Sequence, residues 1–410
     1  MEEPEKNTQL VPALIPFIVL HGLMHILATT LPALSPLVKA EFQLSNTMIG
    51  ALSFAFAAAI GFGSIVSGML SDRYDGMMLI SLGFFSTAIL SALLLLSRDF
   101  LSLTLIFIVM GFGLSFYHPS ALSRIANSFK NKRGRAFGVH ETGASIGIAV
   151  TPLIAAFICF YAEWRFVYLF WAFPTLFFAF LLFKMMKEGE VGRMKRMFLS
   201  DARANVNVNA NANANGNDVK LKDFLRQMIS TGSIRRIYVI EGLFGFVFGG
   251  SLTFIPIFLN EAKGLSPELA VMLTCVFTAG GAIGKFVGGH FSDLVGERKV
   301  MAYGFFIVAP LFFVVSFLPL LWAILALALA GLIFPTVLPA IITTISKEVP
   351  PSRTGMAFGL LMFAGFGFGS TSRIILGLVS DSFGISAVFY PLVIAVLIGG
   401  VLNVCVAEGE

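Results

Sequence analysis

Apolar stretches long enough to cross about 30 Å of hydrocarbon recur twelve times in this chain, and no other feature constrains its fold so strongly. They fall at roughly 11–33, 46–70, 77–97, 100–128, 134–160, 164–187, 236–259, 267–291, 300–318, 321–345, 354–378 and 384–406. Hydrocarbon offers no water to an unpaired backbone N–H or C=O, so each stretch must satisfy its own hydrogen bonds. It does so as a helix, being too long for a barrel strand. Composition agrees, because only 12% of residues are charged against about 25% in soluble domains. The expected fold class is an all-α membrane protein of twelve transmembrane helices. Cys159, Cys275 and Cys405 lie in apolar runs and offer neither a disulfide framework nor metal-ligand spacing. The polar start, Met1 to Leu10, lacks the basic lead and cleavage site of a signal peptide, so the first helix is expected to be retained.

The basic residues set the orientation. Of 28 Lys and Arg, 22 fall on one side, whereas only Lys39, Arg98, Arg165 and Lys263 fall on the other. Lys285 and Arg373 lie within spans. Positive charge accumulates on the cytoplasmic side, which places both termini there in a multi-pass cell-membrane protein. The one long connection begins basic, passes through an Asn-rich tract at 205–217 and becomes charged again. Such a tract has no apolar face to bury, so it is expected to be a flexible linker. The expected organisation is a six-helix bundle over 1–187, a cytoplasmic linker over 188–235 and a second six-helix bundle over 236–410.

The two bundles read as copies. Gly63, Val66, Gly68, Ser71 and Asp72 recur 221 positions later as Gly284, Val287, Gly289, Ser292 and Asp293. At the same offset, Gly134, Ala136, Phe137 and Gly138 meet Gly355, Ala357, Phe358 and Gly359. At 220, His21-Gly22-Leu23 meets Glu241-Gly242-Leu243, Gly111 meets Gly331 and Pro119 meets Pro339. Parallel repeats of six helices are a transporter architecture.

The loop after the second stretch, Gly68-Met69-Leu70-Ser71-Asp72-Arg73-Tyr74-Asp75-Gly76, has an echo in Gly289-His290-Phe291-Ser292-Asp293 through Arg298 and Lys299. Both copies resemble motif A of the major facilitator superfamily, and the resemblance extends over nearly the whole chain. It implies two pseudo-symmetric six-helix bundles that rock against each other, with Gly68, Asp72, Arg73, Gly289, Asp293 and Arg298 forming a conformational latch. Gly68 and Gly289 would let a neighbouring backbone approach. Asp72 would meet the positive start of the eleventh stretch near Gly355, and Asp293 that of the fifth near Gly134. The family's paired basic residues are Met77 and Met78 here, which implies a weaker first latch. Gly138, Gly147 and Thr151-Pro152 are similar to the family's antiporter motif C, with Thr and two Ala in place of Gly. They imply tight helix packing and a bend at Pro152. The Arg of the drug-antiporter motif B is missing, since Phe107 stands in its place.

Ionisable side chains in hydrocarbon cost about 2.5–3.5 kcal/mol on insertion scales, so each is a candidate functional group. They are His21, His25, His118, His140, Glu141, Glu241, Lys285 and Arg373. The resemblance implies that stretches one, four, seven and ten line the solute path, which selects His21, His25, His118 and Glu241. His140-Glu141 lies only about 8 Å from Arg135 along a helix and is expected to reach cytoplasmic water. Lys285 is about 12 Å from Asp293 and either snorkels toward it or faces a cavity. With Arg373 it points to an anionic solute. Phe116-Tyr117-His118-Pro119-Ser120 and the His-bearing first stretch resemble the fosmidomycin-resistance-like efflux branch. The implied function is a monomeric, proton-coupled exporter of a small organic anion working by alternating access. An uptake symporter of the same fold and a non-transporting receptor or scaffold are the alternatives. No phosphate-binding loop, nucleophile elbow or metal motif is visible, so neither an enzyme nor a cofactor is expected, and no nucleic-acid partner.

Overall fold

The computed structural model describes residues 10–129, 133–187, 231–349 and 354–404, and most of the expected linker (188–230) lies outside the described residues. Twelve helices are long and apolar enough to cross a membrane. We number them α1 (Leu14–Ala33), α2 (Asn46–Ser71), α3 (Gly76–Leu96), α4 (Phe100–Ser128), α5 (Ala136–Cys159) and α6 (Arg165–Lys184). The second set is α7 (Gly232–Glu261), α8 (Pro267–Val295), α9 (Glu297–Val315), α10 (Leu320–Glu348), α11 (Gly355–Phe383) and α12 (Ile385–Val404). Large apolar side chains such as Phe157, Phe173 and Phe286 cover the outside, an arrangement that only lipid tails tolerate.

The spans match those expected to within a few residues, and the differences have local causes. Helix α9 starts at Glu297 instead of near 300. Gly296, at φ 91°, turns the chain, and Glu297 then sits in the first helical turn, where a carboxylate meets the positive helix end. Helix α7 starts at Gly232 instead of near 236, and its first turns carry Arg235 and Arg236, which a search for apolar residues passes over.

The internal repeat is visible in the packing. A Cβ on Gly111 of α4 would stand 2.6 Å from the Phe56 carbonyl of α2, and one on Gly331 of α10 would run into the Phe277 carbonyl of α8. Phe56 and Phe277 are themselves 221 residues apart. Both α4 and α10 break midway, at Ser115–Phe116 and at the 3₁₀ turn Phe334–Thr336. Pro119 and Pro339 then lie in the first turn of each following segment, where a missing N–H costs nothing.

Among the described residues, two helix pairs make the most extensive contacts between the first six helices and the second six: α2 with α11, and α5 with α8. Along α2 and α11, glycines bring backbones into contact. A Cβ on Gly68 would stand 2.7 Å from the Gly355 carbonyl, one on Gly359 2.5 Å from that of Ser64, and one on Gly377 2.5 Å from that of Asn46. Gly50 and Gly61 leave no room at all, against Arg373 and Gly367.

Candidate functional site

Between the two sets of helices lies a cavity of about 1020 Å³, its open mouth included, lined mainly by apolar side chains. Its polar lining is His25, His118, Glu141, Glu241, Lys285 and Arg373, with Thr29, Ser145 and Thr278. Five of the six solute-path candidates named from the sequence therefore face one space, and the sixth, His21, sits directly behind it.

His21 owes its position to glycine. The Cα of Gly22 and those of Gly143 and Gly147 let α1 and α5 touch along their backbones. The antiporter-like glycine Gly147 thus packs α5 onto α1, and the motif's Gly138 has no atom within 4 Å of its absent Cβ among the described residues. Pro152 lies inside the α5 helix as expected. This contact stacks the His21 ring on that of His140, with centroids 3.9 Å apart and nearly parallel. The His21 Nδ1 lies 3.1 Å from the His140 carbonyl, and the His140 Nε2 lies 3.0 Å from the Tyr117 hydroxyl, which donates to the Phe17 carbonyl at 2.7 Å. His25 and His118 stand edge-on to His21, at 4.8 and 5.0 Å, and 5.2 Å from each other. Four of the five histidines in the chain thus form one cluster.

Next to this cluster, the Lys285 Nζ of α8 donates to Glu141 Oε2 of α5 at 2.8 Å. Glu141 is 3% exposed and Lys285 7%. This corrects one expectation and decides between the two alternatives left open for Lys285, which faces the cavity. Glu141 and His140 do not reach cytoplasmic water: depth along a helix says nothing of what covers it sideways, and here α1 and α8 do. Lys285 does not snorkel toward Asp293, because a carboxylate stands closer. Its charge is taken up by Glu141, which leaves Arg373 as the cation available to a solute.

Glu241 and Arg373 are held by irregular backbone. Helix α11 widens into a π-helical stretch at Phe363–Phe368, a feature that often marks functional sites. Within it, Gly365 leaves room for the Glu241 carboxylate, and Phe366 turns to His118 at 5.9 Å between ring centroids. One turn further on, Arg373 is 6% exposed, and its guanidinium lies against Gly249 of α7, whose Cβ would stand 2.6 Å from a terminal nitrogen. Among the described residues no carboxylate lies within 4 Å of Arg373. Its Nε and Glu241 Oε2 are buried without hydrogen-bond partners.

Both ends of the α2–α11 contact carry an acid on a helix start. Asp72, at the end of α2, accepts from the Gly355 and Met356 N–H groups at 3.1 and 3.2 Å. At the opposite end, Asp381 of α11 accepts from the Asn46 and Thr47 N–H groups at 3.0 and 2.9 Å and from the Thr47 hydroxyl at 2.6 Å. The sequence predicts the first of these and not the second, since no repeat echoes Asp381. The Asp381 end also carries a Lys39–Glu261 ion pair and a Ser35 hydroxyl donating to the Thr253 carbonyl at 2.8 Å. Nearby, Glu41 accepts from Trp164 and Arg165 at 2.5 and 2.9 Å. Partial burial, the largest single influence on Glu41, would raise its carboxyl, but the Arg165 and Trp164 hydrogen bonds and the Arg165 charge outweigh it and hold the group below the usual carboxylate range.

The expected partner region of the second latch lies largely outside the described residues. No atom among the described residues lies within 4 Å of an added Cβ on Gly289. Arg298 donates to the Asn403 and Val404 carbonyls at the end of α12 at 2.6 and 3.1 Å, and so caps a helix of its own half. Arg73 and Asp293 are exposed. The side chains around Gly134, the expected partner of Asp293, lie outside the described residues.

The family model for the Major Facilitator Superfamily matches residues 17–372, and again 237–408. The "Fosmidomycin resistance protein" of Escherichia coli (strain K12) is 24% identical over 370 residues, covering 90% of this chain and 86% of the relative. The "Glycerol-3-phosphate transporter" of Bacillus subtilis (strain 168) is 25% identical over 369 residues, covering 86% and 82%. A crystal structure of a bacterial homologue of the human lysosomal transporter Spinster, inward-facing and unoccupied, superposes with a TM-score of 0.72 at 17% identity, covering 98% of this chain and 97% of that one.

Proposed function

We propose that this chain, which belongs to the major facilitator superfamily, is a proton-coupled exporter of a small organic anion, working by alternating access around its central cavity. The observation that carries this reading is Arg373, a buried cation on the cavity wall with no carboxylate within reach among the described residues. An unpaired guanidinium in a low-dielectric wall is costly unless an anionic ligand completes it, and its planar fork suits carboxylates and phosphates. Glycerol-3-phosphate, which names one relative, is such an anion, and the resistance that names the other favours export.

Glu141 and Lys285 supply the coupling in this reading. They lie on opposite sets of helices, so any rocking motion that separates α5 from α8 must part them. A parted pair leaves two charges uncompensated in hydrocarbon, unless a proton neutralises Glu141 or the solute anion meets Lys285. Glu141 itself lines the central cavity, which gives that proton its route. Asp72 and Asp381 hold opposite ends of α2 and α11 shut, and exchanging them opens the cavity alternately. By the distribution of Lys and Arg, the Asp72 end is cytoplasmic.

Everted membrane vesicles, acidified inside, test the reading with a panel of labelled small phosphates and carboxylates. Uptake that collapses with a protonophore and is lost in Arg373→Ala is expected. Uptake only into right-side-out vesicles with acid outside would make the protein a symporter. No gradient-driven uptake of any anion in either orientation would overturn transport of this class and favour a receptor or scaffold.

A further inference from the structure

We propose that His21, His25 and His118 form a binding site for one divalent transition ion of the zinc type, set in the wall of the central cavity. The ring nitrogens of the three residues lie within 4.8 Å of one another. Zinc–imidazole bonds are about 2.0–2.1 Å, so each nitrogen needs to move inward by less than about 1 Å. His25 and His118 line the cavity and His21 backs them, so three ligands come from the wall. The fourth position opens into the cavity, where water or a solute anion would complete the tetrahedron.

Three observations favour a metal over a hydrogen-bonded packing cluster. First, three of the six ring nitrogens are unpartnered. His21 Nε2 and both ring nitrogens of His118 are buried with no hydrogen-bond partner, a cost that a ligated ion removes. Second, the rings stand edge to face, and no hydrogen bond joins one of the three imidazoles to another among the described residues. A chain of imidazoles passing a proton directly would be joined in that way. Third, the His21 tautomer is set. Its Nδ1–H points at the His140 carbonyl at 3.1 Å, leaving the Nε2 lone pair aimed at the cluster. A backbone carbonyl holding the far nitrogen is the usual support of a metal-bound histidine.

The charge balance fits as well. The Glu141–Lys285 pair beside the cluster is neutral overall, and Glu241 faces the same cavity with an unpaired oxygen. The donor set is all nitrogen, which suits Zn²⁺, Co²⁺, Ni²⁺ and Cu²⁺ over Mg²⁺ or Ca²⁺. Only neutral imidazole ligates, so the ion is held more tightly as pH rises.

The test is a Co²⁺ titration of tag-free, chelator-washed full-length protein in detergent. One Co²⁺ per chain with the visible absorption of tetrahedral cobalt, displaced by one equivalent of Zn²⁺, is expected. His25→Ala and His118→Ala should each weaken binding by more than the roughly 10–100-fold that loss of an outer support costs. His290→Ala, at an exposed position on α8, should leave it unchanged. Should the variants fail to fold, wild-type protein with one equivalent of Cu²⁺ decides by pulsed electron paramagnetic resonance: couplings to two or more imidazole nitrogens support the site, and one or none overturns it. Co²⁺ affinity that survives both replacements, or no Co²⁺ binding at all, also overturns it.

Discussion

The two most extensive helix contacts between the halves occupy equivalent places in the repeat and are built from opposite materials. Along α2 and α11 the contact is backbone on backbone, with glycines throughout and a carboxylate on a helix start at each end. Along α5 and α8 it holds a buried ion pair, Glu141 with Lys285. At the repeat offset of 221, Glu141 corresponds to Met362, Lys285 to Ser64 and Arg373 to Pro152. At 220, His21 corresponds to Glu241 and His118 to Leu338. Symmetry therefore accounts for the shape, and the chemistry sits where the copies have diverged. A glycine contact slides at little cost, whereas an ion pair in hydrocarbon has to be exchanged for something. On our reading the first is the pivot and the second the coupling.

The sharpest way to break this contrast is to remove one charge from the second contact. Lys285→Met or Glu141→Gln should each destabilise the folded protein by about 3–5 kcal/mol, because the partner is left buried and alone. The double variant should regain most of that loss, as thermal unfolding in detergent would report. Losses that simply add would mean the pair is not coupled.

Smaller effects belong to the glycine contact. Gly61→Val places side-chain atoms in the Gly367 backbone and should cost about 1–3 kcal/mol as an overpacked site. Gly138→Val, with nothing within 4 Å of its Cβ among the described residues, should be nearly silent in the same melting assay.

The two acids at its ends should shift populations in opposite senses. Each carboxylate on a helix start contributes about 0.3–2 kcal/mol. Asp72→Asn should favour the form open at its own end and Asp381→Asn the form open at the other. Spin-label distances across the two ends of α2 and α11 would read the difference, and equal shifts in one direction would refute the assignment of two latches.

The smallest effect lies at the Asp381 end. Because the Glu41 carboxyl is held below the usual range by Arg165 and Trp164, the folded form gives up its proton more readily than the unfolded one. Its contribution is present above about pH 4.3 and disappears as pH falls through the depressed folded value. The Glu41 side chain is 41% exposed to solvent, so screening limits the effect to about 1 kcal/mol or less. Glu41→Gln should flatten that part of the stability curve.

Much of this was legible in the sequence, and the rest failed for definable reasons. Hydropathy located every span, because a bilayer forces apolar length. The constant offset exposed the repeat, and the cost of charge in hydrocarbon picked out His25, His118, Glu241, Lys285 and Arg373, which all line the cavity. Position along a helix misjudged Glu141 and His140, since it cannot register a neighbouring helix. Gly289 and Arg298 were assigned by likeness to Gly68 and its loop, and likeness could not foretell that Arg298 also caps the end of α12. Asp381 carried no signal, standing outside any repeat or motif near the end of an apolar helix.

The most direct measurement follows protons. Vesicles reconstituted with the protein and loaded with a pH-sensitive dye should show proton movement when an anionic solute is added on one side. In the Glu141→Gln/Lys285→Met double variant the solute should still bind through Arg373 while the proton signal disappears. Equal proton movement in the wild type and the double variant would contradict a coupling role for the α5–α8 contact.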